Sequence, residues 1–92
     1  MYTVKYTSAY KKAYKLMVKR GLNVKLLDDV VEKLMMGVPL EKKYCDHSLG
    51  SNWDGFRECH IKPDWILLYY IDKGVLTLTL VNTGTHNEVL GV

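Results

Sequence analysis

A nearly continuous apolar run, WILLYYI from Trp65 to Ile71, constrains the fold of this chain more than any other feature. The run is far too short to cross a bilayer, because a membrane helix needs about 20 apolar residues. Both sets of alternating positions are apolar, which predicts a strand buried on both faces inside a sheet. Further strands are predicted over residues 55–61 and 75–82, and Gly74 supplies a positive φ for the turn before the last of them.

The residues before these strands predict a short strand and two helices. YTVKY alternates like a strand, and Thr7 or Ser8 then caps a helix that continues to about Arg20. Its apolar face is predicted to be Ala9, Ala13, Leu16 and Met17. Asn23 caps a second helix, which ends at Gly37. Because only a short turn joins them, the helices should form an antiparallel hairpin.

This order of elements predicts an α+β fold. It has an N-terminal strand, an antiparallel helical hairpin and then antiparallel strands that form one sheet, with the helices on one face and the other face open. THNE has the spacing of a capping box, from Thr85 to Glu88, so a short C-terminal helical turn should follow the sheet.

With 92 residues, we expect a single domain over 1–92. Without a signal peptide or a membrane span, we expect the protein to be cytoplasmic and not bound to membranes.

Positive charge is concentrated in the first half of the chain. Residues 1–46 hold 10 Lys and Arg against 5 Asp and Glu, whereas residues 47–92 hold 3 against 5. Several lysines fall on the exposed side of the first predicted helix, namely Lys11, Lys12, Lys15 and Lys19. Such a face suits phosphate groups of nucleic acid, although a lysine-rich helix surface is also a common way to stay hydrated.

Two cysteines and two histidines raise the question of a zinc site. Cys45, His47, Cys59 and His60 do not have the spacing of a common zinc finger or ribbon. Adjacent strand residues such as Cys59 and His60 also point to opposite faces of a sheet. We therefore predict reduced cysteines and no structural metal.

Three histidines in the second half of the chain are candidates for proton transfer. His47, His60 and His86 lie near predicted strand ends, and Asp64 follows Pro63 at a predicted strand start. Histidine suits acid and base chemistry near neutral pH, whereas a single loop histidine is more often a polar surface residue. Trp65 is a candidate either for the core or for base stacking, and Arg57 either for an ion pair or for a phosphate. The sequence contains no P-loop, dinucleotide fingerprint or nucleophile elbow.

Two longer motifs carry a resemblance to a known family. DHSLGSNWDGFRECHIKPDWILLYY, which begins at Asp46, and NTGTHNEVLG, which begins at Asn82, resemble the YafQ branch of the RelE/ParE superfamily of bacterial toxins. The resemblance implies a RelE-like fold and a ribosome-dependent endoribonuclease that cleaves mRNA, without metal or cofactor. It also implies a RelB- or DinJ-like antitoxin as partner.

The resemblance assigns candidate roles by motif position. His47, His60, Asp64 and His86 are the implied catalytic residues, with His86 as general acid, Asp64 or His47 as base and His60 as an orienting or charge-stabilising group. The residues that we expect to contact RNA or the ribosome are Lys11, Lys12, Lys15, Lys19, Arg57, Trp65 and Asn82.

Two positions depart from the family pattern. Asn82 stands where the family has an arginine before TGTH, and Leu90 replaces an aromatic residue. An amide stabilises charge on a phosphate less well than a guanidinium does. The sequence therefore leaves three alternatives: a weak or inactive toxin that only binds an antitoxin, a ParE-like gyrase poison, and an unrelated α+β domain.

Overall fold

The computed structural model describes residues 1–91, and it is an α+β fold as predicted. Short 3₁₀ turns lie at Lys42–Tyr44 and Ser51–Trp53. The helices and strands, in chain order, are β1 (Thr3–Tyr6), α1 (Ser8–Lys19), α2 (Val24–Met35), β2 (His47–Ser48), β3 (Arg57–Lys62), β4 (Trp65–Asp72), β5 (Thr77–Gly84) and α3 (His86–Leu90). No helix within residues 1–91 is long and apolar enough to cross a membrane.

All five strands join one sheet in the order β1-β5-β4-β3-β2. The run that begins at Trp65 forms its central strand, β4, which pairs antiparallel with β3 and β5. β1 pairs with β5 in parallel, so the first and last strands of the chain are neighbours. Side chains of β4 are therefore covered on both faces, which explains why both of its alternating positions are apolar.

Local hydrogen bonds begin the helices where the sequence predicts. The Thr7 hydroxyl accepts the amide of Tyr10, and the Asn23 side chain accepts the amide of Lys25. The predicted apolar face of α1 is wrong in part, because Ala9 and Leu16 are exposed. Met17 is buried as predicted. Tyr10 is buried in place of the exposed residues, and Tyr14 packs against this core at the same helical spacing.

The two faces of the sheet have separate apolar cores. The larger core lies beneath α1 and α2 and includes Met17, Leu27, Val30, Leu67 and Tyr69. On the other face, Ile66 and Leu68 pack against Val89 of α3 and against partly buried Leu49, Trp53, Phe56, Val81 and Leu90. The expectation of an open second face is therefore corrected: α3 and the segment before β3 cover part of it.

The turn between β4 and β5 differs from its prediction. Gly74 does not have a positive φ; instead Leu76 takes it, at 53°. The Asp72 carboxylate accepts the amides of Gly74 and Val75. This side chain organises the turn without the glycine conformation that the sequence suggests.

Candidate active site

A buried carboxylate brings the three histidines together on the sheet face away from α1 and α2. Oε2 of Glu58 lies 3.1 Å from Nε2 of His86, 3.3 Å from Nε2 of His60 and 3.5 Å from Nε2 of His47. Glu58 is 4% exposed, whereas the three histidines reach solvent. We call these four residues the Glu58 cluster. It joins three of the four predicted catalytic residues to one that the sequence analysis omitted.

Strand geometry explains most of this convergence. Glu58 and His60 are two residues apart on β3, so they share one face, while Cys59 between them points into the core beneath the helices. His47 lies directly opposite Glu58 in the β2–β3 pairing. Cross-strand neighbours have side chains close enough to interact. Two adjacent strands therefore supply three members of the cluster.

The fourth member, His86, is the first residue of α3. Thr85 caps this short helix in a reciprocal capping box with Glu88, as the sequence predicts. Glu88 also forms two hydrogen bonds with Arg20 at the end of α1. Gly84 precedes the cap with φ of 147°, and a Cβ at that position would lie 3.0 Å from Oε1 of Glu88. The capping box and the arginine thus fix where His86 enters the cluster.

The backbone orients His47. Its Nδ1 lies 2.7 Å from the carbonyl oxygen of Cys45, which only accepts hydrogen bonds, so Nδ1 carries a proton. In the neutral ring Nε2 is then an unprotonated acceptor that faces the Glu58 carboxylate. A base in this orientation can take a proton at Nε2.

His60 and His86 also direct Nε2 at the Glu58 carboxylate, but in these two rings Nε2 is the protonated nitrogen. Each places Nε2 within hydrogen-bonding distance of the same Glu58 oxygen, so each Nε2 carries the proton. Their ring centroids are 5.0 Å apart. Oε1 of Glu58 is buried without a hydrogen-bond partner among the described residues. The two imidazoles therefore both donate to one oxygen of a buried carboxylate.

A second hydrogen-bonded group supports the segment that carries His47. The Asp46 carboxylate accepts the Tyr69 hydroxyl through Oδ1 and the Arg57 guanidinium through Oδ2, the latter at 3.2 Å. Nε of Arg57 also donates to the Tyr69 oxygen at 3.4 Å. Burial and the contact with Asp46 raise the pKa of Tyr69, so its hydroxyl keeps the proton that it donates. Asp46 is therefore fixed to β3 and β4 beside His47.

Asp64 and Trp65, two of the predicted site residues, do not lie in the Glu58 cluster or on an RNA-accessible surface together with it. Asp64 is exposed in the turn between β3 and β4 and forms no contact with the Glu58 cluster among residues 1–91. Trp65 is 4% exposed and its indole donates to Thr83 at 2.9 Å. The assignment of Trp65 to RNA contact is therefore corrected, because a buried ring with a satisfied N–H belongs to the core and cannot stack on a base.

The remaining predicted RNA contacts are on the surface to different degrees. Four lysines lie along α1 and are all exposed: Lys11, Lys12, Lys15 and Lys19. Arg57 is partly exposed, but its guanidinium is bonded to Asp46 and Tyr69, and these contacts raise the pKa of Arg57. Asn82 is half-buried, and its side-chain oxygen accepts the amide of Thr83.

Part of the Glu58 cluster has the chemistry of a metal site. Ligand atoms of Glu58, His60 and His86 all lie within 4.8 Å of one another. Two imidazole nitrogens and one carboxylate oxygen are donors that zinc and copper accept. The zinc set considered from the sequence does not form, because Cys59 is fully buried on the other face of β3.

Glu58 could have been found from the sequence by strand alternation. Its spacing of two from His60 places both on one face of a predicted strand. Nothing local in the sequence marks it as buried, however, because α3 and β2 cover it from distant positions in the chain. Tyr69 and Asp46, 23 residues apart, likewise give no joint signal.

Comparison with known proteins places this geometry in a family. Residues 2–91 match a family described as bacterial toxin of type II toxin–antitoxin system, YafQ. The mRNA interferase toxin YafQ of Escherichia coli K12 is 35% identical over 89 residues, which cover 96% of this chain and 95% of that protein.

Solved structures agree with the same relationship. YafQ from E. coli BL21(DE3) superposes with a TM-score of 0.92 at 33% identity, covering 99% of this chain and 100% of that one. A metal-bound toxin from Helicobacter pylori superposes with a TM-score of 0.91 at 44% identity, covering 97% of this chain and 99% of that one. The matching chain of the E. coli DinJ–YafQ complex superposes with a TM-score of 0.90 at 34% identity, covering 99% of this chain and 100% of that one.

Proposed function

Because this chain belongs to the YafQ family of bacterial toxins of type II toxin–antitoxin systems, we propose that it is an mRNA interferase, an endoribonuclease that blocks translation. The observation that carries this proposal is the convergence of three imidazoles on the buried Glu58 carboxylate. The relatives named as mRNA interferase toxins support the substrate class. We further propose that cleavage takes place on the ribosome, and hence in the cytoplasm.

The reaction is an internal displacement at phosphorus. The ribose 2′-oxygen attacks the adjacent phosphorus as a base removes its proton, and the 5′-oxygen leaves as an acid protonates it. The products are a 2′,3′-cyclic phosphate and a free 5′-hydroxyl. Nε2 of His47 is the base, because the Cys45 carbonyl holds the ring proton on Nδ1. This choice replaces Asp64, which lies outside the cluster.

His86 is the general acid. It would act as the imidazolium, which gives one proton to the leaving 5′-oxygen and becomes a neutral ring. Its position at the start of α3 is fixed by the capping box. His60 stabilises charge on the phosphate, and Glu58 orients the imidazoles. An ion bound by Glu58, His60 and His86 would supply Lewis acidity. It would also occupy the Nε2 atoms that these steps need, so we assign the reaction without metal.

We expect induction of the protein in bacteria to produce cleavage of a reporter transcript at in-frame codons, detected by primer extension. Replacement of His86 by Ala should abolish cleavage, because proton transfer by a placed side chain contributes about 10² to 10⁴ in rate. Replacement of Lys73 by Ala, on the turn between β4 and β5, is the control and should cleave like the wild type. Full cleavage by the His86 variant would remove the assignment of the acid.

Asn82 favours a second candidate, a toxin fold with weak or no catalysis that acts by binding its antitoxin. A guanidinium at this position would stabilise the phosphate more strongly than the amide does. If the Glu58 cluster is otherwise intact, Asn82→Arg should increase cleavage. Absence of cleavage by the wild type together with a gain in the variant would identify a toxin weakened at this one position.

The proposed protein partner is an antitoxin of the DinJ type, which the DinJ–YafQ complexes support. The proposed ribosome contact is the face of α1 that carries Lys11, Lys12, Lys15 and Lys19. Lys11 and Lys15 also border an apolar groove of about 630 Å³ between α1, α2 and β1. An antitoxin seated in this groove would cover part of the lysine face and so inhibit the toxin. Competition between antitoxin and ribosomes for the free toxin would test this arrangement.

A further inference from the structure

A cavity beside the Glu58 cluster has no role in the proposed reaction. It has a volume of about 510 Å³ and lies between α2, the 3₁₀ turn at Lys42–Tyr44 and the end of β3. We call it the β3-edge pocket, and it is lined by Leu26, Lys43, Tyr44, Cys45, His60, Ile61, Lys62 and Pro63. Its size falls in the range of small-molecule sites, about 300 to 1,000 Å³.

The β3-edge pocket adjoins the Glu58 cluster and shares His60 with it. His60 lines the pocket and also contacts Glu58 through Nε2. Cys45 lines it as well, and its carbonyl oxygen holds Nδ1 of His47 at 2.7 Å. β2 pairs only with Arg57 and Glu58, so the edge of β3 beyond Glu58 is not covered by a strand within residues 1–91. A molecule bound at the cluster would reach the pocket around this open edge of β3, because the pocket also contacts Leu26 of α2 on the helix side of the sheet.

The lining of the pocket matches a nucleotide in both charge and polarity. Leu26, Tyr44 and Ile61 provide an apolar and aromatic wall. Lys43 and Lys62 are exposed, and no carboxylate lines the pocket among the described residues. Nζ of Lys43 lies 5.2 Å from the centre of the Tyr44 ring, so cation and aromatic ring are adjacent. Single-stranded nucleic acid is bound by this combination of aromatic faces and flanking cations.

We propose that the β3-edge pocket binds the nucleoside next to the scissile phosphate, and that Lys43 and Lys62 bind the phosphate that follows it. This proposal rests on the proposed function, because it assumes that RNA is the substrate at the Glu58 cluster. It adds that the bond is positioned by a second, neighbouring nucleotide. Lys43, Tyr44 and Lys62 are substrate-positioning residues that do not take part in proton transfer.

The experiment is a titration of the ¹⁵N-labelled full chain with a 2′-O-methyl RNA tetranucleotide, which lacks the attacking hydroxyl. We expect saturable changes in the amide signals of Tyr44, Cys45 and Ile61 together with those of His60. Changes confined to α1, or no saturable change, would overturn the proposal. Inorganic phosphate is the second probe: if it alone reproduces the changes at equal concentration, the pocket is an anion site and the nucleoside assignment is wrong.

A double variant tests the lysines. For Lys43→Gln with Lys62→Gln, we expect the slope of log affinity against log salt to become shallower by about 0.7 for each phosphate that is no longer neutralised by a lysine. Lys73→Gln should leave the slope unchanged. An unchanged slope in the double variant would contradict the assignment.

Cleavage on programmed ribosomes separates the two proposals. If the wild type does not cleave but the titration maps to the pocket, the proposed function fails and the nucleotide site stands. If the wild type cleaves and the titration does not reach the pocket, the nucleotide site fails alone. In the variant we expect the toxin concentration for half-maximal cleavage to rise more than the maximal rate falls.

Discussion

Glu58 is the residue on which the proposed chemistry depends most, because three imidazoles share one of its oxygens. Replacement by Gln preserves its size and removes the carboxylate oxygen that orients the three rings. We expect single-turnover cleavage on ribosomes to fall by about 100-fold, with the fold retained. The control is Glu41→Gln, an exposed carboxylate paired with Lys33 at 3.4 Å. A Glu58 variant with normal cleavage would show that the cluster is not the catalytic centre.

Tyr69 and Tyr70 offer a matched comparison at adjacent positions. Tyr69 is 1% exposed and donates to Asp46, whereas Tyr70 is 36% exposed and packs edge-on against Phe56. Loss of the buried hydrogen bond in Tyr69→Phe should lower the free energy of unfolding by about 1 kcal/mol and slow cleavage, since Asp46 adjoins His47. Urea unfolding and cleavage assays measure both effects. If Tyr70→Phe changes the free energy of unfolding and the cleavage rate as much as Tyr69→Phe does, the Asp46 contact does not support His47.

Residue types alone identify the three histidines, but not what connects them. His47, His60 and His86 are chemically suited to proton transfer wherever they occur, so their side-chain chemistry is sufficient to select them. Glu58 escapes sequence analysis because its significance comes from burial and from the contact with His86 of α3, which lies 28 residues further along the chain. The assignment of Trp65 to RNA fails for a related reason: its sequence neighbours do not reveal Thr83, which accepts its N–H.

At the scale of whole elements, α3 is attached to α1 by the ion pair between Arg20 and Glu88. The Arg20 guanidinium, with the Thr85 amide, lowers the pKa of Glu88 from 4.5 to about 2. A carboxyl with a depressed pKa in the folded state stabilises the fold above its unfolded pKa. That stabilisation is lost as pH falls from about 4.5 through about 2.

The pH dependence gives a direct test of this attachment. The difference in free energy of unfolding between wild type and Arg20→Gln should be constant near neutral pH and should shrink below pH 4.5, the unfolded pKa of Glu88. Urea unfolding at several pH values measures it, and Lys33→Gln, which breaks a pair with Glu41, is the control. A difference that does not change with pH would show that Glu88 is not the group concerned.

Helix starts are predictable from this sequence, whereas the packing of helix faces is not. The caps at Thr7, Asn23 and Thr85 depend on residues within three positions, and the structure confirms all three. The small aliphatic residues of α1 predict its buried face, but the structure buries Tyr10 and half-buries Tyr14. Tyrosines can pack their rings and keep the hydroxyl near solvent, as Tyr14 does by donating to Asp28. Periodicity does not reveal this choice.

For the molecule as a whole, the uneven charge predicts salt-sensitive binding. Replacement of Lys11, Lys12, Lys15 and Lys19 by Gln should weaken the affinity for ribosomes. The slope of log affinity against log salt should become shallower by about 0.7 to 0.9 for each lysine that contacts a phosphate. Sedimentation with ribosomes at several salt concentrations measures both quantities, with Lys73→Gln as control. A full salt slope in the fourfold variant would exclude this face as the ribosome contact.

The parallel pairing of β1 with β5 has a consequence for how the protein is made. β1 is synthesised before the other strands described here, yet its partner strand begins at Thr77. The sheet therefore cannot close, and His86 cannot reach Glu58, until nearly all of the residues described here have emerged from the ribosome. Cotranslational folding proceeds from the N-terminus, but here it must wait for the last strand. The Glu58 cluster is consequently absent from the nascent chain until β5 and α3 have been made.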